Sequence, residues 1–395
     1  MRYSSKARLL LAGAALSILS GPAFALDGND LLTKLNAALM QQGGLVTAQS
    51  VDVEGSTVTL AGAAFKPTSS AESLPLGDIT LEGVQEANGG YHVEKASFPN
   101  INITQDKTTV TAADISMSGV SIPAETTGDT LDTILFYEEA HVGPMNVSVD
   151  GKSVFSVDET NFTATTTEDK SSMNFSGAMT GVKADLSTYP DPKAQEAITE
   201  LGLTTLDGRV DLAGSWELAS GKIDLTRYAL DFNNIGKLDF LFSLSGYTLQ
   251  FLKSVQETTA AMEANPNKEE AQQAANLAML GLMQQLTFNS AEIRFEDAGI
   301  TGRALDFTGK KQGVSGQQMA QIVKGMAPLM LAQLNVPELQ NMVSAAINTY
   351  IDNPGNLTIS ARPEKPVPVP MIMGAAMGAP NTLPQVLGVT VTANE

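Results

Sequence analysis

Two histidines, no cysteine and 43 Asp+Glu are the side chains from which proton transfer or metal ligation would have to be assembled in this chain of 395 residues. Absent cysteine removes thiolate metal sites, disulfides and thiol nucleophiles. Two histidines leave little room for a zinc hydrolase or a histidine-based triad. His92 stands in an alternating run beside Tyr91 and Glu94, which reads as a surface strand position. His141 follows Glu138-Glu139, and Asp132 would complete an oxygen-rich patch, but the segment lacks the fixed ligand spacing of such sites. The acid pairs Glu296-Asp297 and Asp239 with Glu292 carry no spacing that identifies paired-carboxylate catalysis. A nucleophile elbow, a P-loop, a dinucleotide fingerprint and a calcium loop are all missing from the sequence. The reading is a non-enzymatic protein with no catalytic residues, no cofactor and no metal site. A hydrolase built only from carboxylates is the third-ranked alternative.

Charge narrows the partners. With 24 Lys+Arg the chain carries a net charge of -19, the wrong sign for a nucleic-acid surface. Its basic residues are scattered, without the basic amphipathic helix that seeks anionic headgroups, so any lipid contact is expected to be neutral and apolar. An apolar fraction of 43% excludes a disordered chain, and the length suffices for one large core or two ordinary ones.

Residues 1–25 read as a secretory signal. Arg2, Lys6 and Arg8 precede an apolar run over 9–19; Gly21-Pro22 breaks it, and Ala23-Phe24-Ala25 offers a small-x-small cleavage site. A retained anchor is the alternative. Cleavage leaves 26–395 as an exported chain in the periplasm of a Gram-negative bacterium, at most peripheral to a membrane. No integral membrane segment follows: the most apolar stretch, 371–377, is too short and is bracketed by prolines. The sequons at Asn102, Asn146, Asn161 and Asn356 read as ordinary strand residues.

The elements expected from periodicity are mostly strands. Leu31, Leu35 and Leu39 mark a helix over 28–42, stopped by Gly43-Gly44. Period-two alternation then predicts strands at 51–53, 58–60, 79–84, 91–96, 101–104, 110–120, 142–149, 154–167 and 173–182, with hairpins at Glu54-Gly55-Ser56 and Asp150-Gly151. A turn at Tyr189-Pro190-Asp191-Pro192 and a helix over 193–201 suggest a boundary. The organisation is therefore 26–187 as a helix plus antiparallel β unit, and 188–395 as a second β unit with a helical hairpin and terminal strands. Strands follow at 206–218, 223–232 and 238–244, where Arg209, Asp211, Lys222 and Asp224 fall on the polar phase and read as pairs across strands rather than catalytic groups. Helices are expected over 247–262 and 268–286, a strand over 288–296, then an αα-hairpin. Four prolines over 363–370 predict an extended strap, and strands at 357–361 and 386–392 complete the chain.

Met319, Ile322, Val323, Met326 and Met330 form one helical stripe and Leu339, Met342, Val343, Ala346, Ile347 and Tyr350 another. Core filling is the plain reading of the methionines. An adaptable lining for an acyl chain is the functional one, and it nominates Phe295, Met319, Met326, Met330 and Met342 as the lining of a gap between sheet and helices.

Three quoted stretches carry a family likeness: Phe295-Glu-Asp-Ala-Gly-Ile-Thr-Gly-Arg303-Ala304, Lys310-Lys-Gln-Gly-Val-Ser315, and Tyr350-Ile-Asp-Asn-Pro-Gly-Asn-Leu-Thr-Ile-Ser360. Over residues 285–395 the chain resembles the C-terminal part of AsmA-like and YdgA-like bacterial envelope proteins. That resemblance implies β-rich units with helices behind them and a place in envelope lipid homeostasis. It supplies no catalytic residue. The expectation is thus a β-rich α+β fold, a long twisted antiparallel sheet packed against N- and C-terminal helices. The function expected first is binding or passing an apolar ligand, a lipid, or supporting envelope organisation. The second is an interaction module whose sheet edges pair with another envelope protein.

Overall fold

The computed structural model describes residues 26–68, 72–128, 130–332 and 336–395, so the expected signal lies outside the described residues. Helix α1 (Gly28–Gln41) begins where the Asp27 carboxylate accepts from the Asn29 and Asp30 N–H groups. The first strands are β1 (Gly44–Thr47), β2 (Ser50–Glu54), β3 (Thr57–Pro67), β4 (Leu74–Glu82), β5 (Gln85–Ala87), β6 (Gly90–Phe98), β7 (Ile101–Gln105), β8 (Thr108–Ala112) and β9 (Ile115–Ile122). Next come β10 (Glu139–Val142), β11 (Met145–Val149), β12 (Lys152–Val157), β13 (Glu159–Thr166) and β14 (Ser172–Asp185). Helix α2 (Pro192–Glu200) precedes β15 (Thr205–Glu217), β16 (Lys222–Phe232) and β17 (Gly236–Ser245). A hairpin of α3 (Leu249–Ala264) and α4 (Lys268–Met283) leads to β18 (Thr287–Asp297). Then follow α5 (Ile300–Gln312), α6 (Gly316–Ala332), α7 (Pro337–Asp352), β19 (Asn356–Ala361), β20 (Val367–Pro368), α8 (Val369–Gly378), α9 (Leu383–Val386) and β21 (Val389–Ala393).

The fold is α+β and β-rich, with one large antiparallel sheet flanked by helices. Its spine runs β2-β3-β4-β6-β9-β10-β13-β14-β15-β16-β17-β18-β19-β21, every neighbouring pair antiparallel. The sheet crosses residue 188 without a break, because β14 and β15 pair along most of their length around α2.

Alternation sorts the two faces. Val53, Val58, Leu81, Ala96, Met117, Ala140, Phe162, Gly177, Leu212 and Tyr228 are successive cross-strand partners. A bulge separates Tyr228 from its neighbour, but its ring lies 5.8 Å from that of Phe240. Phe240, Ile293, Ile359 and Val391 then continue the row. One residue along, the partners are Thr59, Thr80, Ser97, Ser116, His141 and Asn161, and further on Asp239, Arg294 and Thr358. One face, the dry one, is apolar in composition along the spine and the other, the wet one, is polar; burial does not follow this division everywhere, since Ile293 and Ile359 of the dry row are 44% and 46% exposed.

The wet face holds ion pairs, but more within strands than across them, because residues two apart on one strand already share a face. Asp211 meets Arg209 of its own strand at 2.9 Å and Arg227 of β16 at 3.3 Å; Lys222 meets Asp224 at 2.7 Å. Largely solvated pairs of this kind contribute about 0–1 kcal/mol each.

Three runs expected as single strands are bent instead. The run 110–120 breaks at Ala113-Asp114, where Asp114 has φ 54°; 142–149 breaks at Gly143-Pro144; and 154–167 breaks at Asp158. The Gly143 N–H donates to the Ala113 carbonyl at 3.0 Å and the Asp158 N–H to that of Thr180 at 3.0 Å, so the bends replace ladder bonds locally. The extra residues shift the phase of alternation, as at Val110 and Ala112 against Ile115 and Met117. Strands β8, β11 and β12 thereby turn off the spine as a side arm, with β7 on the outside of β8 and β12 rejoining β14.

Two further expectations are corrected. The 300–312 stretch, where no helix is expected, forms α5: the Asp297 carboxylate accepts from the Gly299 and Thr301 N–H groups, replacing the apolar periodicity that glycines and lysines dilute. The expected strap over 363–370 ends early, because β20 and then α8 begin within it, with Pro370 in the first turn where it costs no hydrogen bond.

The closed core lies under α1. Leu31, Val58 and Val93 are fully buried there, and Leu35 and Leu39 pack at its margin. Asn36 pins the helix to β1 by donating to the Val46 carbonyl at 2.8 Å and accepting from its N–H at 2.7 Å. The Tyr91 hydroxyl and the Lys34 ammonium both donate to Asp30, each at 2.6 Å.

Replacing Leu31 by Ala should cost about 2–5 kcal/mol in urea unfolding, the range for an enclosed apolar side chain. The hydrogen bonds from Lys34 and then Tyr91 hold the Asp30 carboxyl below the usual carboxylate range, while burial and then Asp30 push the Tyr91 phenol up. A lowered carboxyl contributes stability that is full above about pH 4 and lost as pH falls through its folded value. A raised phenol contributes stability that is full below about pH 10 and lost as pH rises through its folded value. The stability gap between the native chain and Asp30→Asn should therefore be flat around neutrality and shrink below about pH 4. Thermal melting across pH checks this, and a gap that widens in acid contradicts the tether.

Candidate apolar ligand face

From β16 onward the dry face is built without a charge. On β16 it presents Ile223, Leu225, Tyr228, Leu230 and Phe232; on β17 Leu238, Phe240, Phe242 and Leu244. On β18 it presents Ala291, Ile293 and Phe295, and on β19 Leu357, Ile359 and Ala361. Rings add contacts: Tyr228 with Phe240 at 5.8 Å and Phe242 with Phe288 at 6.3 Å. Such tilted aromatic pairs hold their ring planes without any polar partner.

Cover is present at the ends of these strands and thin between them. At one end α3 closes over Trp216, whose indole N–H donates to the Tyr247 carbonyl at 2.8 Å; the Tyr247 ring in turn meets Phe251 at 5.4 Å. A cavity of about 240 Å³ remains there between Ala38, Leu135, Trp216 and Leu252. At the other end Arg303 of α5 donates to the backbone carbonyls of Leu201 and Asn234, and Lys310 meets Glu200 of α2 at 2.6 Å. In the middle Tyr228, Phe242, Ile293 and Ile359 are 37%, 39%, 44% and 46% exposed. They form an open apolar stripe four strands wide, roughly 14 Å at the usual strand spacing.

The nominated lining residues are dispersed. Phe295 does lie on this face, half-buried between Leu238 and Leu357, with its ring against Gly236, where a Cβ would approach to 2.7 Å. Met319 is closed at 6% exposure, Met326 is open at 51%, and Met342 is half-buried on α7. The side chain of Met330 lies outside the described residues. Tyr228, Phe240, Phe242, Ile293 and Ile359 were not nominated from sequence. Their alternation is visible there, but it reads equally as core.

The chemistry-bearing residues do not converge. His141 Nδ1 is 2.7 Å from Asn161 Oδ1 and 3.8 Å from Glu159, whereas Asp132 pairs with Lys170. Asp132, Glu138 and His92 instead share a recess of about 340 Å³ with Tyr91. Glu292 pairs with Arg362 at 2.6 Å, Asp239 with Lys237 at 2.7 Å and Glu296 with Arg294 at 2.9 Å. These three acids each have a cation of their own, and Asp297 accepts from the Gly299 and Thr301 N–H groups.

A family model described as an uncharacterized protein matches residues 229–394, from β16 through β21. No curated protein matches the chain.

Ile293→Ala and Ile359→Ala should each cost about 1 kcal/mol or less in urea unfolding, well under the cost of emptying the site of Leu31. Equal costs at the two places would mean that the stripe is a closed core.

Proposed function

We propose that this is a non-enzymatic protein of the bacterial envelope, exported to the periplasm, that binds or passes an apolar ligand, a lipid acyl chain, along the open stripe. The observation that carries the reading is the contrast within one face: closed beneath α1, open and uncharged across β16–β19. An acyl chain needs apolar surface, no counter-charge and a linear track, and the cross-strand row supplies all three. The resemblance of residues 285–395 to AsmA-like and YdgA-like proteins supports the same reading.

Native mass spectrometry with lipid extraction, on protein purified from its own compartment without detergent, tests it. A stoichiometric lipid is expected, and Ile293→Asp with Ile359→Asp should remove it while leaving the circular dichroism intact. A lipid-free mass that stays unchanged after incubation with vesicles overturns the proposal.

A second reading, strand addition by another envelope protein, is favoured by β7. All five of its residues are exposed and uncharged, and it pairs only with β8 among the described strands. Edges of that kind are usually guarded by charge or proline. Ile103→Lys should block strand addition and leave a lipid-bound mass unchanged, which separates the two readings.

A further inference from the structure

Helix α8 belongs neither to the closed core under α1 nor to the open stripe. Its ten residues, Val-Pro-Met-Ile-Met-Gly-Ala-Ala-Met-Gly, contain no charged side chain and none that donates a strong hydrogen bond, yet none of them is buried. Met371 is 60% exposed and Met377 81%. A helix apolar on every side normally sits within a core or in hydrocarbon. Here the apolar character also extends beyond the helix, since residues 366–394 carry no charge at all in a chain of net charge -19.

We propose that α8 dips into one leaflet of a lipid bilayer with neutral or zwitterionic headgroups. Length fixes the depth: ten residues rise about 15 Å, half of a hydrocarbon core of about 30 Å, so the helix enters without crossing. A protein groove would select a helix with one apolar stripe and a polar back. Apolar side chains all round match a surrounding solvent of acyl chains instead. The sign of charge selects the headgroup, because Lys365 is the single basic residue between Pro363 and the C-terminal Glu395.

The backbone is prepared for a dry environment at the helix start. The Val369 N–H donates to the Leu286 carbonyl at 3.0 Å, and Pro370 has no N–H to leave unpaired, so two of the four donors that a helix start exposes are settled. The same hydrogen bond places α8 beside the end of α4, where Leu277 and Leu280 are exposed within a run from Ala271 to Ala291 that is also free of charge. Strand β20 pairs Val367 with Phe288, whose ring touches Phe242 of the open stripe, so the helix leaves the sheet at the mouth of that stripe. The membrane contact stands on α8 itself and holds whether or not the stripe carries a lipid.

The cysteine-free sequence makes a site-specific test direct. Met377→Cys in the full exported chain, labelled with a nitrobenzoxadiazole dye, is mixed with phosphatidylcholine vesicles. Its emission should rise several-fold, shift to the blue and be quenched by nitroxides on the acyl chains, while the same dye on Tyr189→Cys stays unchanged. Met371→Glu combined with Met377→Glu should weaken vesicle flotation about tenfold or more, because each charge must be carried toward hydrocarbon. Its melting should be unaffected, since neither side chain is buried. Three results overturn the proposal: a dye silent toward vesicles, a response confined to vesicles containing phosphatidylglycerol, or a concentration-dependent change without vesicles, which would assign α8 to a second copy of the chain. A lipid-free native mass combined with a positive dye response would remove the ligand reading and leave the membrane contact standing.

Discussion

The fold depends on the phase of a two-residue alternation held in register from β2 to β21. In a sheet, sliding one strand by a single residue exchanges its faces, so each added strand risks putting its apolar set into water. Here the risk is contained because departures from register come as bulges and bends that absorb whole residues. The bend at Asp158 faces Thr180-Gly181 of β14, where a Cβ on Gly181 (φ 60°) would collide with the Asp158 carboxylate. The phase change is thus matched on both strands at the same point, and the spine beyond it keeps its apolar residues on one face. The side arm is what remains on the other side of those bends.

Once the faces are sorted, what differs along the sheet is the cover. Strands β1 and β2 have four and five residues, and the fourteen residues of α1 reach across the strands beside them. Strands β14 to β18 run to between ten and fourteen residues, about 34–47 Å, longer than any helix that meets them. Helix α3 takes one end, where its Phe251 is buried against the Tyr247 ring, and the α2–α5 pair the other, anchored by polar contacts to backbone. The open stripe is the remainder, a consequence of strand length. Exposed apolar surface of this extent invites association, and the excess of acidic residues, together with a wet face of alternating charges, opposes it.

Much of the architecture was legible because β alternation is a local signal. The hairpins at Gly55 and Gly151 and the long strands of the second half fall where the pattern puts them. The bends were missed for a physical reason: Asp114 and Asp158 are ordinary polar residues that carry no turn signal, so the change of apolar phase from Val110 and Ala112 to Ile115 and Met117 reads as noise within one strand until the partner strands fix the register. Helix α5 was hidden because its start is held by the Asp297 carboxylate and its face is diluted by Gly302 and Gly309. Phe295 and Ile293 share a face, as their alternation in the sequence requires. The wider stripe was missed because nothing local says whether an apolar side chain will be covered.

Helix α6 makes that last point within a single element. Met319 and Met326 are seven residues apart, two turns along one face, and the sequence treats them as equivalent members of one stripe. Met319 is closed and Met326 is open. Seventeen residues give α6 a length of about 25 Å against about 20 Å for the thirteen of α5, so the later turns outrun the helix they start beside. Helix α7 lies along β21, tied at its C-terminal end by Asn394, which donates to the carbonyls of Thr349 and Asn353, so its own start is carried away from that anchor. Periodicity therefore fixes which side of a helix turns toward the protein. Where the apolar side stops being core and becomes surface is set, at α6, by the relative lengths of the elements that meet it.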